Sequence, residues 1–267
     1  MSQPNDPNRL LRNGLAVTGF NLLEDFIKLR TAELLKEISG GSLAFTQLPD
    51  KLQRACTETV VKALRYQIGI VRKRDSEQTA RALIANTGSE LASTAGGPLA
   101  LSALAFGHGA ANIDSEEVSS ICSALGVEAG WQTIAELTTT VGFTIAQPSV
   151  TYTEAMQRRH DAAHDAAHDT PLGDLRTYWP QALVIACAFD IVVTRSAYEL
   201  RLGNLAALPV TASSVPVYLV EGEPALTLEA RGNAALVSAE ADGGAVIHRF
   251  SEQMRSWTLT DLEGQRR

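Results

Sequence analysis

The longest apolar run of the chain, residues 182–193, most constrains how this protein can fold. It reads ALVIACAFDIVV, and Asp190 is its one charged residue. A run of this length is too short to span a bilayer, so it predicts a buried segment. It lies in a predicted helix over residues 179–202, and a helix that is apolar on all sides belongs at the centre of its domain. The sequence therefore predicts a helical domain built around this segment.

Apolar side chains at helical spacing predict further helices ahead of this run. Two of these helices begin at acidic capping patterns, Asp75 with Gln78 and Asp114 with Glu117, because a side-chain oxygen at the N-cap can accept a backbone N–H. Residues 1–17 are polar or irregular and are expected to be disordered or variable. The predicted helices cover residues 20–38, 48–66, 75–91, 115–125, 128–140 and 153–168.

The character of the chain changes after Gly203. Short runs rich in β-branched and aromatic residues alternate with glycine-containing turn sequences. These runs are residues 215–220, 226–229, 234–239, 246–250 and 257–260. The sequence thus predicts a mainly α protein in three parts: a variable N-terminus (1–17), a helical domain (18–203) and a small β-rich C-terminal region (204–267).

Composition excludes several classes of function. The net charge of −7 argues against a general polyanion binder, although a local basic cleft remains compatible with it. Three widely spaced cysteines, Cys56, Cys122 and Cys187, form no zinc or redox motif and are typical of buried thiols in a reducing compartment. The polar N-terminus lacks the apolar core of a signal peptide, so we expect a cytoplasmic protein without a membrane partner. The phosphate-loop, dinucleotide and serine-hydrolase motifs are absent from the sequence.

One segment combines groups that can do chemistry: Arg158, Arg159, His160 and His164 follow one another on a predicted helix. Arginine carries a permanent charge on a planar fork that fits phosphate oxygens. Histidine exchanges a proton near neutral pH. Together these groups suffice to cleave a phosphodiester without a metal or cofactor.

This segment resembles the Arg-x4-6-His signature of the HEPN superfamily, and is most similar to the branch whose motif is Arg-His-x-x-Ala-His. Arg159, His160 and His164 match that motif, and the order of helices over residues 18–202 is similar to that of the branch. The resemblance implies a HEPN-like helical bundle and a metal-independent endoribonuclease. In it His164 would deprotonate a ribose 2′-hydroxyl and Arg159, helped by Arg158, would stabilise the phosphorane. His160 would support the site.

The resemblance also implies partners. Arg159 and His164 are five residues apart, about 140° round an ideal helix, so they point apart on one chain. Family members commonly join two motifs across a two-fold cleft, which implies a homodimer acting on RNA. Such an enzyme is toxic when free, so a toxin or phage-defence setting with an inhibitory partner protein is expected.

Three alternatives stay open at this stage. His160, His164 and His168 recur every four residues and could bind zinc, since an H-x3-H pair on a helix is a known metal-binding spacing. The segment could also be a solvated helix face without chemistry. Finally, it could belong to a catalytically inactive HEPN module that binds a nucleotidyltransferase-like protein.

Overall fold

The protein is mainly α-helical, which confirms the prediction of a mainly α fold. The computed structural model describes residues 7–109, 112–165, 167–222, 245–250 and 257–260. A π-helical turn, Ala55–Thr59, joins the second helix to the third without a break. In chain order the helices are α1 Pro7–Ser39, α2 Asp50–Arg54, α3 Val60–Arg74, α4 Glu77–Ser93, α5 Ser115–Ala124, α6 Gly130–Thr140, α7 Pro148–His164 and α8 Leu172–Leu202.

Helix α1 packs between α7 and α8 along most of its length. It runs parallel to α8, because the Tyr178 hydroxyl donates to the Gly19 carbonyl (3.3 Å) near one end and Arg30 pairs with Asp190 further along. A side chain at Gly19 would approach the rings of Tyr178 and Trp179 to 3.2 Å. Glycine at this position therefore lets the two helices approach closely.

The apolar run of α8 lies in the core, as expected, but not on every side. Phe189, Val192 and Val193 are fully buried, whereas Leu183 is 52% exposed. One face of α8 therefore reaches the surface, so the prediction of a helix buried on all sides is wrong for that face. Among the described helices, none combines the length and apolarity that a membrane span requires.

Several helix boundaries differ from the prediction. Helix α1 begins at Pro7, so the expectation of disorder is wrong for residues 7–17. Arg9 and Asn13 are buried there, and Asn13 contacts the segment after α7. Helix α8 begins at Leu172 rather than at residue 179, and the exposed Pro180 lies within it. Helix α4 is capped by Ser76, whose Oγ accepts the Thr79 N–H (3.1 Å), and not by Asp75.

The capping prediction at Asp114 is confirmed. Its carboxylate accepts the Glu117 N–H at 2.7 Å, and α5 begins at the next residue. The helix ends at Ala124, just before Gly126 adopts a positive φ of 84°. Local sequence thus determines both ends of this helix.

The C-terminal strands are β1 Val217–Gly222, β2 Ala245–Phe250 and β3 Trp257–Thr260. Strand β1 pairs with β2 in parallel, with Val217 opposite Ala245, and β2 pairs with β3 antiparallel. The β-like runs predicted at residues 226–229 and 234–239 lie outside the described residues.

Candidate functional site

The first half of α7 fixes the motif helix to the core. Pro148 takes the first helical position, where its missing N–H costs nothing. Tyr152 is fully buried, donates its hydroxyl to the Ile113 carbonyl (2.9 Å) and packs edge-on against Phe20, with ring centroids 5.2 Å apart. Ala155 is buried one turn later. These contacts anchor the helix so that its second half emerges at the surface.

The two motif histidines lie together on the exposed face of this second half. His160 and His164 are one helical turn apart, and their ring centroids are separated by 4.7 Å at an interplanar angle of 50°. Both residues are exposed to solvent. The structure therefore brings these two predicted residues into contact where a ligand can reach them.

The two motif arginines are held on the flanks of α7 by different helices. Arg158 Nε lies 3.5 Å from Asp174 Oδ2 of α8, which partly neutralises its charge. Arg159 Nε donates to Asn21 Oδ1 of α1 at 3.3 Å. Within the described part of the chain Arg159 forms no ion pair, so its guanidinium keeps a full charge beside the exposed helix face.

The motif helix ends four residues earlier than predicted. Its last residue is His164, and the chain then turns: Asp165 Oδ1 accepts the Ala167 N–H at 2.8 Å and the Asp165 carbonyl accepts the His168 N–H at 3.1 Å. His168 therefore does not continue the helical row of His160 and His164.

Because α7 ends at His164, the three histidines that could have bound zinc do not lie on one helix face. The Nε2 atom of His168 is buried and has no hydrogen-bond partner among the described residues. No group of three or more His, Cys, Asp or Glu side chains in the described part of the chain could hold a metal ion. The predicted site of three histidines is not formed, because it required one uninterrupted helix to residue 168.

A clasp between the start of α1 and the segment after α7 was not foreseen from sequence. Asn13 Oδ1 accepts the Thr170 N–H and hydroxyl, both at 3.0 Å, while its Nδ2 donates to the His168 carbonyl at 2.9 Å. Arg12 forms an ion pair with Asp169 and donates to the Thr170 carbonyl at 3.0 Å. The clasp secures the chain just beyond the motif, so it limits the movement of the end of α7.

A cavity of about 610 Å³ lies between the end of α1 and the end of α4. It is lined by residues 39–46 and 93–99, a glycine- and serine-rich set without an ionisable side chain. None of the motif residues borders it. Its lining offers no group for acid–base chemistry, so the exposed face of α7 remains the candidate functional site.

Comparison of the chain with protein-family models, with curated proteins and with solved structures gave no match in any of the three. Assignment of a function therefore depends on the residues of the site themselves.

Proposed function

We propose that this protein is a metal-independent endoribonuclease of HEPN type. The observation that carries the proposal is the exposed His160–His164 pair, one helical turn apart on the helix that also carries Arg159. Among the described residues Arg159 forms no ion pair, and Asn21 holds its guanidinium toward α1. Cleavage of a phosphodiester by internal attack needs a group that takes a proton, which an exposed imidazole can do, and a group that stabilises negative charge on the phosphate, which a guanidinium fork can do. Neither needs a cofactor or a metal.

The reaction uses the RNA's own 2′-hydroxyl. His164 takes its proton, and the 2′-oxygen bonds to the adjacent phosphorus as the P–O5′ bond breaks. The leaving 5′-oxygen takes a proton from water, and the His164 imidazolium returns its own proton to solvent. Arg159 stabilises the negative charge that develops on the phosphorane. The products carry a 2′,3′-cyclic phosphate and a 5′-hydroxyl, and DNA is inert because it lacks the nucleophile.

The remaining motif residues support these two. His160 contacts the ring of His164 and orients it. Arg158 has a smaller role, since Asp174 already compensates part of its charge. Asn21 joins the site as a positioning residue, because it holds the Arg159 guanidinium toward α1.

A second copy of the chain is the partner we propose for this site. Arg159 is held toward α1, whereas the histidines face solvent, so one chain spreads its groups over different sides of α7. Helix α1 presents Leu15, Leu22 and Leu29 to solvent, 39%, 56% and 67% exposed. Leucines seven residues apart form the apolar seam along which helices pair.

We propose a two-fold axis across this seam, level with the motif. On an ideal helix, Leu15, Leu22 and Leu29 lie within about 40° of one another. An axis through Leu22 pairs Leu15 of one copy with Leu29 of the other. Because Asn21, next to Leu22, contacts Arg159, this axis passes at the height of the motif arginine in both copies.

The cellular role rests on the resemblance. We place the enzyme in the cytoplasm as a toxin or phage-defence effector, restrained by an inhibitory partner protein. Growth arrest on expression of the wild type, relieved by the His164→Ala variant, tests this role.

The cleavage proposal is tested with labelled RNA in excess EDTA. We expect the wild-type protein to cut it and leave cyclic phosphate ends, identified by mass spectrometry. His164→Ala should lose cleavage by at least about 100-fold, the usual contribution of an acid–base group. Glu154→Ala, which changes an exposed residue of the same helix, is the matched control and should cut normally. Equal activity of the wild type and His164→Ala would contradict the assignment.

The dimer is tested by sedimentation and by subunit mixing. Leu22→Glu should convert dimer to monomer, and mixed Arg159→Ala and His164→Ala proteins should regain part of the activity that each lacks. A fully active monomer would refute the shared site. A folded dimer without cleavage would instead favour the alternative, an inactive HEPN module that binds a nucleotidyltransferase-like protein.

A further inference from the structure

Helices α3 and α4 form a hairpin that contributes little to the core. Helix α4 packs against α3, and Ala80 and Thr87 are its buried residues. Beyond Val60 and Ala63, the residues of α3 are exposed or half-buried. Most of the hairpin surface is therefore open to a ligand.

The hairpin is basic in an acidic protein. Residues 60–93 carry six Lys or Arg side chains and three Asp or Glu side chains, a net charge of +3. The whole chain has a net charge of −7, so the remainder carries −10. The hairpin thus has a net positive charge, whereas the rest of the chain has a net negative charge.

The basic side chains of α3 lie on one face. At 100° per residue, Lys62, Arg65, Arg72 and Lys73 fall within about 100° of arc, and the row from first to last is about 16 Å long. All four are exposed. Arg72 Nε lies 2.9 Å from Glu77 Oε2, and Glu77 also pairs with Arg81. This set is called the α3 basic face below.

Three members of the α3 basic face keep an uncompensated charge. Within the described part of the chain, Lys62, Arg65 and Lys73 form no ion pair. A row of exposed like charges repels itself, so it lowers the stability of the helix. Basic side chains clustered along one helix face are typical of a surface that binds a nucleic acid.

Two further residues of the same face suit a nucleic acid strand. Tyr66 lies among the basic residues and is 37% exposed, and an exposed aromatic ring can stack an unpaired base. Gly69 occupies the middle of the face, and a side chain added there would meet nothing within 4 Å. Glycine weakens a helix interior and has no packing reason here. Its effect is to let a strand lie close to the backbone between the basic residues.

We infer that the α3 basic face binds the backbone of single-stranded RNA, with Tyr66 stacking against a base. This inference rests on the proposed ribonuclease function, to which it adds the place where substrate is held. The lysines and arginines contact phosphates and carry no sequence preference. A single strand is favoured over a duplex because only an unpaired base offers its face to Tyr66.

The test measures RNA affinity on the full chain carrying His164→Ala, so that the probe is not cut. Fluorescence anisotropy follows a labelled 20-nucleotide single-stranded RNA of mixed sequence. Lys62→Glu/Lys73→Glu should weaken binding at least about 10-fold and reduce the salt slope by about 1.4, the effect of two phosphate contacts on a single strand. Tyr66→Ala should weaken binding by at least about 5-fold, the lower end for one stacked base.

Lys36→Glu/Lys51→Glu is the matched control. It replaces two exposed lysines of α1 and α2 and makes the same change in net charge, so it should leave affinity within about two-fold. Equal loss in both lysine pairs, or absence of RNA binding by the parent protein at low salt, would overturn the inference. Circular dichroism and thermal melting confirm that each variant is folded.

The outcomes separate this inference from the ribonuclease proposal. RNA binding that depends on the α3 basic face, without cleavage by the wild type, would refute the enzyme and keep the binding site. Cleavage that depends on His164 but is unchanged in Lys62→Glu/Lys73→Glu would keep the enzyme and refute the binding site.

Discussion

Replacing Asp190 with alanine should destabilise the protein by about 3 kcal/mol. Arg30 Nε lies 2.5 Å from Asp190 Oδ1, both side chains are buried, and Thr194 donates its hydroxyl to the same carboxylate oxygen at 2.9 Å. Burial alone would lower the pKa of Arg30, but the charges and hydrogen bonds of Asp190, Glu37 and Glu33 together outweigh this effect, so the pKa is raised. Asp190→Ala therefore leaves a buried cation, which costs about 3–5 kcal/mol. Glu33 and Glu37 still contact Arg30 at 3.0 and 3.5 Å, which places the cost at the lower end.

A second variant separates the ion pair from the loss of packing. Arg30→Met/Asp190→Leu removes both charges and fills the space, so its cost should stay within about 1 kcal/mol. Urea unfolding followed by circular dichroism gives the free energy of unfolding of each protein. A double variant as unstable as Asp190→Ala, or a single variant that loses less than about 1 kcal/mol, would refute the reasoning.

Two further outcomes are expected. Burial, and then the charge of Lys28, lowers the pKa of His108 from 6.5, so the folded state favours the neutral ring. The free energy of unfolding should therefore fall as the pH falls below about 6.5. In thermal melts between pH 7 and 5, His108→Gln should lose less stability than the wild type, and an equal pH dependence of the two proteins would contradict this. Asn13→Leu removes the three hydrogen bonds of the clasp to Thr170 and His168, each of which contributes about 1 kcal/mol to stability. Hydrogen exchange should then show the Thr170 amide exchanging with solvent at least about 10-fold faster. Unchanged exchange would show that other contacts hold this segment.

Most helices could be predicted because their signals are local. Asp114 caps α5 through an N–H three residues away. Gly203 ends α8 with a positive φ of 74°, which glycine adopts without strain. Each of these signals acts within a few residues, so the sequence displays it directly.

The start of α1 could not be predicted in this way. Residues 7–17 lack the apolar spacing of a core helix, yet Arg9 and Asn13 are buried there. Asn13 is satisfied by Thr170, more than 150 residues along the chain. A polar residue is buried when a partner is supplied, and sequence spacing does not show a partner at that distance.

In the candidate site, too, one part follows from local sequence and another part from tertiary packing. The sequence by itself determines that His160 and His164 share a face, because residues four apart on any α-helix are neighbours. Only the tertiary structure decides where the arginines are directed: Asp174 of α8 holds Arg158 on one flank and Asn21 of α1 holds Arg159 on the other. Helical periodicity is a property of the local backbone, whereas the direction of a long side chain depends on which helix packs beside it.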